Sequence, residues 1–509
     1  MPGSDKYDVV IVGGGHNGLT AAAYLSLAGK RVLLLERLDH VGGAAVSAQA
    51  FDGVDARLSR YSYLVSLLPK RIIADLGLDI HLKRRRYSSF TPVPGSSTGL
   101  LVDNEDATAT ESSFAAIGAA HDFAAWNTFY AGTAKLARAL FPTVTEPLLT
   151  RSEARAALGD DALWESLIEQ PIGTTIERTF ENDVVRGVVL TDALIGTFAP
   201  NVDPTLAANR CFLYHVIGNG TGDWDVPVGG MGAVTGELHR AAVLAGAEII
   251  TNAEVTSITP DGEVTFGERV VHGEWVLSNV SPYALERLVS TSSTTDRPEG
   301  AQVKVNLLLS RLPRLKDERV DPRAAFGGTF HINETWNQLD AAYSAAAGGA
   351  IANPLPCEIY CHSLTDPSIL SPELQSSGTQ TLTVFGLHVP DRSDPDAAAL
   401  EAAVLASLNS VLAEPIEPLL LTDAAGRPTI ETKTTRDIEA ALGMPGGNIF
   451  HGPLSWPFAE DGEGMPTAAS RWGVVTEHPR ILLAGAGAQR GGAVSGLGGH
   501  NAAMAVLEG

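Results

Sequence analysis

The first apolar run of the chain, residues 7–12, has the length of a β-strand and contains a single charged position. Such a run is typical of a parallel strand that is buried on both faces. It ends at a glycine cluster, and a segment rich in small residues follows, with Gly29 at the position of a helix terminator. Residues 31–35 form a second apolar run. The pattern predicts a strand, a turn, a helix and a second strand.

Regular alternation of strands and helices is lost after about residue 85. Alanine-rich helical patterns then dominate up to about residue 205, for example at residues 114–140. A further amphipathic helix, which begins after residue 230, ends at Gly246. The strands predicted beyond it are residues 247–258, 264–271, 274–279, 303–309, 358–363, 381–389 and 481–484, and a last helix covers residues 501–507.

These elements predict an α/β fold class, in which a discontinuous Rossmann-type domain carries an inserted α+β domain. The Rossmann-type domain would comprise residues 1–85, 225–300 and 465–509. The inserted domain, which we expect to bind the substrate, would comprise residues 86–224 and 301–464. The length of 509 residues is consistent with two or three domains.

Composition narrows the class of protein. Lys and Arg number 36 and Asp and Glu number 59, so the formal net charge is −23 at pH 7. A chain of that sign repels phosphate backbones, which excludes generic nucleic-acid binding. Hydrophobic residues make up 44% of the chain and charged residues 19%, which excludes a disordered chain and indicates a globular enzyme.

Cysteine usage and apolar runs indicate the compartment. Cys211, Cys357 and Cys361 are too few for a disulfide framework and fit a reducing environment. The N-terminal segment lacks the features of a secretory signal, and no uninterrupted apolar run reaches the roughly 18 residues that span a bilayer. We therefore expect a cytoplasmic protein, for which peripheral membrane contact and homo-oligomerisation stay open.

A glycine motif lies between the first predicted strand and helix. Gly13, Gly15 and Gly18 have the spacing G-x-G-x-x-G, in which one glycine makes the turn, one admits a pyrophosphate and one allows close helix packing. Glu36 follows the second strand, where a carboxylate can accept hydrogen bonds from ribose hydroxyls. Together they predict a dinucleotide site at a helix N-terminus. The alternative is a structural glycine turn and an ordinary surface glutamate.

The residues that follow Glu36 bear on which dinucleotide binds. Gly42 and Gly43 form a second glycine pair, and Ala44 follows them. A flavin dinucleotide still needs close backbone approach at this point, whereas NAD usually does not, so the pair favours FAD. A simple turn into the next element is the alternative interpretation.

Several segments together resemble FAD-dependent oxidoreductases of the phytoene desaturase branch within the amine oxidase superfamily. The subgroup that they resemble is called phytoene dehydrogenase-like, or pyridine nucleotide-disulphide oxidoreductase domain-containing protein 2. The resemblance covers nearly the whole chain and is strongest at its two ends. It rests on residues 9–25 (VVIVGGGHNGLTAAAYL), 59–69 (SRYSYLVSLLP), 214–220 (YHVIGNG), 227–235 (PVGGMGAVT), 447–455 (GNIFHGPLS) and 491–503 (GGAVSGLGGHNAA).

The resemblance implies roles for individual residues. It implies a pyrophosphate site at Gly13, Gly15, Asn17 and Gly18, an adenosine site at Glu36, Arg37 and Val255, and a path to the flavin along Gly42, Gly43 and Ala44. It implies an isoalloxazine site at Gly485, Gly492, Ala493 and Val494. Ser59 and Arg60 complete the implied cofactor contacts, at the turn where carotenoid desaturases carry Gly-Pro. The C-terminal cofactor segment lacks a cysteine, so we expect FAD to bind non-covalently.

Candidate catalytic residues are His331 and His451. Their apolar neighbours in sequence indicate strand positions that could face the pocket, and a histidine can take the proton that accompanies hydride transfer. A structural role for each histidine is the alternative. We predict no metal site, because Cys357 and Cys361 would lie about 13 Å apart on a strand, too far for a shared ion.

Two other patterns have a structural and a functional interpretation. The basic run at residues 83–86 is typical of a solvated face and could also bind an anionic membrane or an acidic partner. Trp126, Phe129 and Tyr130 are expected in a helix core rather than in a substrate cage.

The sequence therefore predicts an FAD-dependent oxidoreductase that acts on a small apolar organic substrate by hydride transfer to flavin N5. The electron acceptor stays open between oxygen, a quinone and another partner. A redox-neutral isomerase that uses reduced flavin is one alternative, and an interaction or assembly protein with structural FAD is another.

Overall fold

The computed structural model of the protein describes residues 5–290 and 295–509. Its strands are β1 (Asp5–Val12), β2 (Val32–Leu35), β3 (Ser47–Gln49), β4 (Arg57–Ser59), β5 (Leu82–Lys83), β6 (Tyr87–Pro92), β7 (Gly99–Asp103), β8 (Val226–Pro227), β9 (Glu248–Ile250), β10 (Val255–Ile258), β11 (Glu263–Phe266), β12 (Arg269–Ser278), β13 (Gln302–Leu309), β14 (Thr329–Ile332), β15 (Cys357–Tyr360), β16 (Gln380–Leu387), β17 (Ile430–Lys433) and β18 (Ile481–Leu483).

Its α-helices are α1 (His16–Leu27), α2 (Lys70–Asp75), α3 (Ala107–Ala116), α4 (Asp122–Leu140), α5 (Arg151–Leu158), α6 (Asp161–Trp164), α7 (Ile172–Thr179), α8 (Asp183–Thr191), α9 (Ala207–Val216), α10 (Met231–Leu244), α11 (Pro282–Val289), α12 (Pro322–Ala325), α13 (Trp336–Ala347), α14 (His362–Thr365), α15 (Pro372–Ser376), α16 (Ala397–Val411), α17 (Thr435–Leu442), α18 (Ala468–Arg471) and α19 (Leu497–Glu508).

The first sheet combines strands from both ends and from the middle of the chain. β9, β2, β1 and β12 lie side by side in parallel, and β18 pairs in parallel with the C-terminal part of β12. The N-terminal part of β12 begins an antiparallel extension through β11 to β10. Within β1, Val9 and Ile11 pack into the core on one face, while Val10 and Val12 pack into the core on the other. β1 is therefore buried on both faces, as its apolar pattern predicts.

Helices α1, α10 and α19 pack together beside this sheet. The contact between α1 and α19 is close, because a Cβ atom at Gly499 would lie 1.8 Å from the carbonyl oxygen of Asn17. The C-terminal helix therefore sits directly against the helix that follows the glycine turn.

The second sheet has the order β17-β13-β16-β15-β14-β6-β7. Its neighbours are antiparallel, except that β14 and β6 run in parallel. Its core includes side chains from β13, β15 and β16 and from α16. The two sheets, one Rossmann-type and one mixed with helices around it, confirm the predicted α/β fold class. The residue boundaries of the two predicted domains stay a prediction.

Three predicted elements are divided in the structure. Residues 247–258 form β9 at one edge of the first sheet and β10 at its other edge, so residues 251–254 cross between the edges. Residues 264–271 belong to β11 and β12, which meet at Gly267, and residues 114–140 belong to α3 and α4, which are separated around Gly118. Both glycines have positive φ, at +54° and +75°, which explains the breaks.

Within the described residues, no helix combines the length and the apolar character that crossing a bilayer requires.

Candidate functional site

The glycine turn between β1 and α1 is held by the residues that follow β2. Gly13 has a φ of +101°, a conformation that favours glycine. A Cβ atom at Gly18 would lie 2.2 Å from the carbonyl oxygen of Gly13, so α1 needs glycine there to pack on the turn. The Gly14 N–H donates a hydrogen bond of 2.7 Å to Oε2 of Glu36. Glu36 is buried, and its Oε1 accepts a second hydrogen bond of 2.8 Å from the Leu38 N–H.

The second glycine pair packs directly on this turn. The Gly42 N–H donates a hydrogen bond of 2.8 Å to the carbonyl oxygen of Gly14. Gly42 and Gly43 have φ values of +123° and +57°. A Cβ atom at Gly43 would lie 3.2 Å from the Cα atom of Gly15. The backbone of the glycine pair is therefore in direct contact with the backbone of the glycine turn. A simple turn into the next element would not require this contact.

The N-terminus of α1 has features that fit a phosphate-bearing ligand. α1 begins at His16 without a capping side chain and without an acidic residue in its first turn, so its terminal N–H groups can bind an anion. A Cβ atom at Gly15 would reach within 3.1 Å of Nδ2 of Asn279, which marks the narrow space in front of the turn. Asn17 is buried in the first turn of α1, and its side-chain Nδ2 can donate a hydrogen bond to a phosphate oxygen. These residues fit the pyrophosphate of a dinucleotide.

A cavity of about 1930 Å³, its open mouth included, extends from this turn to residues of the second sheet. We call it the dinucleotide cavity. The Ala253 N–H donates a hydrogen bond of 2.8 Å to the Glu36 carbonyl oxygen, which brings the start of β10 to the cavity. The predicted site residues that line it are Gly13, Gly15, Asn17, Glu36, Arg37, Gly43, Ala44, Val255, His451, Ala493 and Val494.

The remaining predicted site residues do not line the dinucleotide cavity: Gly18, Gly42, Ser59, Arg60, His331, Gly485 and Gly492. His331 lies on β14 as predicted, but it lines a different cavity. Ser59 and Arg60 form hydrogen bonds with residues of the second sheet. The Ser59 carbonyl oxygen accepts a hydrogen bond from Lys304, and Nε of Arg60 donates to Oε1 of Glu431 at 3.0 Å.

Gly485 and Gly492 lie in the loop that forms part of the cavity wall, but they do not line the cavity. A Cβ atom at Gly485 would lie 3.0 Å from the carbonyl oxygen of Asn279, and one at Gly492 would lie 2.9 Å from Cδ2 of Leu454. The absence of side chains at both glycines lets the loop after β18 pack closely, while its Ala493 and Val494 face the cavity.

A buried lysine lies at the inner end of the cavity. Lys304 on β13 has a relative exposure of 1%, and its Nζ donates a hydrogen bond of 2.9 Å to the carbonyl oxygen of Ser59. The same nitrogen lies 5.0 Å from the ring centroid of Phe385 and 5.9 Å from that of Tyr63. Burial lowers the pKa of Lys304 well below its ordinary value. Burial therefore disfavours the charged form of this amine.

His16 and His451 also line the cavity. His451 lies in a turn with a φ of +64°, not on the predicted strand. Burial lowers its pKa to about 4, and within the described residues its Nδ1 has no hydrogen-bond partner. Nε2 of His16 donates a hydrogen bond of 3.0 Å to the Ala493 carbonyl oxygen, and burial lowers the pKa of His16 to about 4. Both imidazoles are neutral near pH 7 and can accept a proton or a hydrogen bond.

Four residues described at this site carry no predicted role: Gly14, His16, Asn279 and Lys304. Nδ2 of Asn279 donates a hydrogen bond of 2.9 Å to the Gly13 carbonyl oxygen. Asn279 follows β12, which reaches β1 only through sheet pairing, so no local motif marks it. Lys304 does have a sequence signal, because it is the only charged residue in the largely apolar strand QVKVNLLL.

A second cavity of about 1260 Å³ adjoins the first, and we call it the second chamber. Trp126 and Tyr130 of α4 form part of its wall, and together with Phe129 they also pack in the helical core, as predicted. Five residues line both cavities and separate them: Tyr63, Leu64, Ile195, His215 and Trp224.

The basic run at residues 83–86 lies at the edge of the second chamber. Arg84 pairs with Asp223 at 2.7 Å, and Arg86 pairs with Asp103 at 2.8 Å. Arg85 lines the chamber, and burial lowers its pKa. Arg84 and Arg86 are therefore matched by carboxylates, whereas Lys83 donates a hydrogen bond of 3.3 Å to the Thr365 carbonyl oxygen.

A cluster of acids and one histidine forms another part of the chamber wall. Nδ1 of His331 and Oε2 of Glu334 share a hydrogen bond of 2.7 Å. The Thr191 hydroxyl lies 2.8 Å from Oε2 of Glu334 and 2.9 Å from Oε1 of Glu358, and its single proton can serve only one of them at a time. Burial raises the pKa of both glutamates well above the ordinary value, and that of Asp192 to about 6. We call His331, Glu334 and Glu358 the His-Glu-Glu cluster.

Comparison with known proteins places the chain in a family. A family model described as an NAD(P)-binding Rossmann-like domain matches residues 11–70. The uncharacterized protein Rv0897c of Mycobacterium tuberculosis is 56% identical, over 98% of this chain and 97% of its own length. Pyridine nucleotide-disulfide oxidoreductase domain-containing protein 2 of Rattus norvegicus is 28% identical, over 99% of this chain and 93% of its own length. The chain belongs to the family of the mycobacterial protein, and its predicted resemblance to the second relative is confirmed.

Solved structures share the whole fold. A variant of putrescine oxidase superposes with a TM-score of 0.59 at 17% identity, over 99% of each chain. Cyclohexylamine oxidase from Brevibacterium oxydans superposes with a TM-score of 0.58 at 16% identity, again over 99% of each chain. The chain therefore shares the fold of these two amine oxidases.

Proposed function

We propose that the protein is an FAD-dependent oxidoreductase that binds FAD non-covalently and removes hydrogen from a small apolar organic substrate. The observation that carries the proposal is the packing of Gly42 and Gly43 on the glycine turn, with a Cβ position at Gly43 only 3.2 Å from the Gly15 backbone. Because of this packing, the backbone at Gly43 lines the dinucleotide cavity. The cavity continues from Glu36 as far as Lys304 in the second sheet. A site that extends so far beyond the pyrophosphate position suits a flavin dinucleotide.

The chain has a residue for each part of that cofactor. Glu36 would bind ribose hydroxyls, and the N-terminus of α1 would bind the pyrophosphate. Ala493 and Val494 would lie against the isoalloxazine ring, and α19, which begins at Leu497, would favour negative charge there through its N-terminal dipole. When bound, the flavin supplies a hydride acceptor at N5.

The positions of the cysteines bear on how FAD would be attached. Cys211, Cys357 and Cys361 are buried elsewhere and do not line it, which supports non-covalent attachment.

The substrate side of the cavity is apolar and aromatic. Tyr63, Leu64, Ile195 and Phe385 line it and would exclude water from the reacting atoms. His451 would take the substrate proton that leaves as the hydride is transferred, because its neutral Nδ1 has no other partner within the described residues.

The colour and the bound nucleotide of the purified protein test the proposal. We expect a yellow preparation from which acid precipitation releases FAD. The variant Gly15→Val should lose FAD, because a branched side chain would fill the space between the turn and Asn279. The matched control is Gly236→Ala on α10, where no atom lies within 4 Å of the added Cβ, and it should keep FAD.

Two results would overturn the assignment. One is a colourless protein that takes up NAD but no added FAD. The other is full FAD occupancy in Gly15→Val, which would place the cofactor elsewhere. Anaerobic bleaching of the flavin by members of a substrate library would exclude the alternative of a purely structural FAD.

A further inference from the structure

The His-Glu-Glu cluster has no part in the proposed function. We propose that His331, Glu334 and Glu358 form a binding site for a divalent transition-metal ion such as Zn²⁺ or Mn²⁺, which opens on the second chamber. From the sequence we predict no metal site, because the only candidate ligands are the two cysteines around β15.

Two strands and one turn bring the three side chains together. His331 on β14 lies directly opposite Glu358 on β15, so their side chains share one face of the sheet. Glu334 follows β14 after Asn333, whose φ of +59° turns the chain back. A Cβ atom at Gly187 would lie 1.8 Å from the Glu334 carbonyl oxygen, so α8 packs tightly against this turn.

The spacing of the donor atoms suits one shared ion. One atom from each side chain can be chosen so that all three lie within 4.8 Å of one another. Nδ1 of His331 lies 2.7 Å from Oε2 of Glu334 and 3.9 Å from Oε1 of Glu358. Ligand bonds of about 2.0–2.2 Å separate neighbouring donors by about 3–3.5 Å, so small side-chain rotations would complete the site.

The cluster also contains an unpartnered acceptor. The Glu334 side chain is fully buried, with a relative exposure of 0%. Within the described residues, its Oε1 has no hydrogen-bond partner. Among the described residues, His331 is the only basic side chain that forms an ion pair with Glu334 or Glu358. Buried carboxylates are normally paired with a cation or bound to a metal, and one imidazole with two carboxylates is a ligand set for Zn²⁺, Mn²⁺ or Fe²⁺.

The second chamber gives this site access to solvent. His331 and Glu358 line the chamber, whereas Glu334 lies behind them. A site with three protein ligands keeps a coordination position open for water or a substrate oxygen. Here that position would face the chamber.

Metal binding to the full-length, FAD-containing protein tests the proposal. The protein is treated with a chelator, dialysed and titrated with Zn²⁺ by isothermal calorimetry, and bound metal is measured after gel filtration. We expect one equivalent per chain. Glu334→Gln and Glu358→Gln keep the side-chain shape, and each should weaken Zn²⁺ binding by about 100-fold or more.

Asp192→Asn is the matched control, because Asp192 lines the same chamber but is not one of the three ligands. It should weaken Zn²⁺ binding far less than either glutamine variant, because the ion loses no ligand. Reconstitution of the wild-type protein with Co²⁺ gives a second measurement that needs no variant, and visible absorption bands of nitrogen and oxygen coordination should appear.

Each of three results would overturn the proposal. The first is less than one equivalent of Zn²⁺ with no Co²⁺ bands. The second is wild-type affinity in both glutamine variants. The third is an equal loss in Asp192→Asn, which would indicate general attraction of cations to an acidic chamber. FAD content is measured in parallel, and its absence alone would contradict the proposed function without affecting the metal site.

Discussion

The absence of a side chain at Gly14 allows Glu36 to form a hydrogen bond with the glycine turn. A Cβ atom at Gly14 would lie 2.9 Å from Cγ1 of Val41 and 3.1 Å from Oε2 of Glu36. The hydrogen bond of 2.7 Å between the Gly14 N–H and Glu36 therefore depends on the missing side chain. The G-x-G-x-x-G spacing gives no role to this middle glycine. Its role is to fix the carboxylate that we expect to bind ribose.

His451 is the residue at which the proposed chemistry can be tested most directly. We expect His451→Gln to slow reduction of the bound flavin by substrate about 100-fold while FAD content stays unchanged, because the variant loses the proton acceptor. The rate is measured by anaerobic stopped-flow absorbance.

The control for this experiment is His388→Gln. His388 is also buried, also has positive φ, and also has a pKa that burial lowers to about 4, but it lines neither the dinucleotide cavity nor the second chamber. It should reduce flavin at the wild-type rate. Equal rates in His451→Gln and the wild type would favour hydride transfer without a protein base.

Local sequence predicts the residues of this site that act within one motif. Gly13, Gly15 and Glu36 could be predicted because a turn and its flanking strands fix their spacing. Asn279 and Lys304 reach the cavity only through pairing of distant strands and through the approach of two sheets. His331 lies on the predicted strand, but the strand assignment alone does not determine which of two cavities its side chain lines.

The segment between β9 and β10 shows what a run of apolar residues cannot specify. Residues 247–258 have the pattern of one strand, but the chain leaves one edge of the sheet and rejoins it at the other. The Asn252 and Ala253 N–H groups donate hydrogen bonds of 2.8 Å to the carbonyl oxygens of Leu38 and Glu36 during this crossing. The implied adenosine contact at Val255 therefore depends on a crossing that periodicity does not reveal.

Two alanine variants can distinguish the effect of close packing at the second glycine pair from the effect of backbone strain alone. Gly43 and Gly77 have nearly equal φ values of +57° and +59°, but only Gly43 has a backbone atom near its Cβ position. Alanine at either position should cost about 1 kcal/mol of folding stability through left-handed strain. We expect only Gly43→Ala to lower FAD affinity as well, because its Cβ pushes residues 42–43 off the glycine turn. Equilibrium dialysis with FAD measures this, and equal affinities in both variants would contradict it.

The whole molecule is held together by contacts between segments that are distant in sequence. Arg490 is buried, and its guanidinium donates hydrogen bonds of 3.0 Å and 2.7 Å to the carbonyl oxygens of Thr143 and Glu146, and one of 3.1 Å to that of Trp472. These bonds fix the helical insertion to the C-terminal loop that lines the dinucleotide cavity. The amino-acid pattern predicts both segments, but it does not predict that one arginine joins them.

Buried histidines make the stability of the whole molecule sensitive to acid. Burial lowers the pKa of each to about 4, so the unfolded chain binds more protons and stability falls as pH decreases from about 6.5 to about 4. We expect His388→Gln to reduce the pH slope of the unfolding free energy in this range by about 1.4 kcal/mol per pH unit. This value corresponds to the uptake of one proton on unfolding. Urea denaturation at several pH values measures the slope, and an unchanged slope would show that His388 is protonated in the folded protein. The five histidines are His16, His215, His388, His451 and His500.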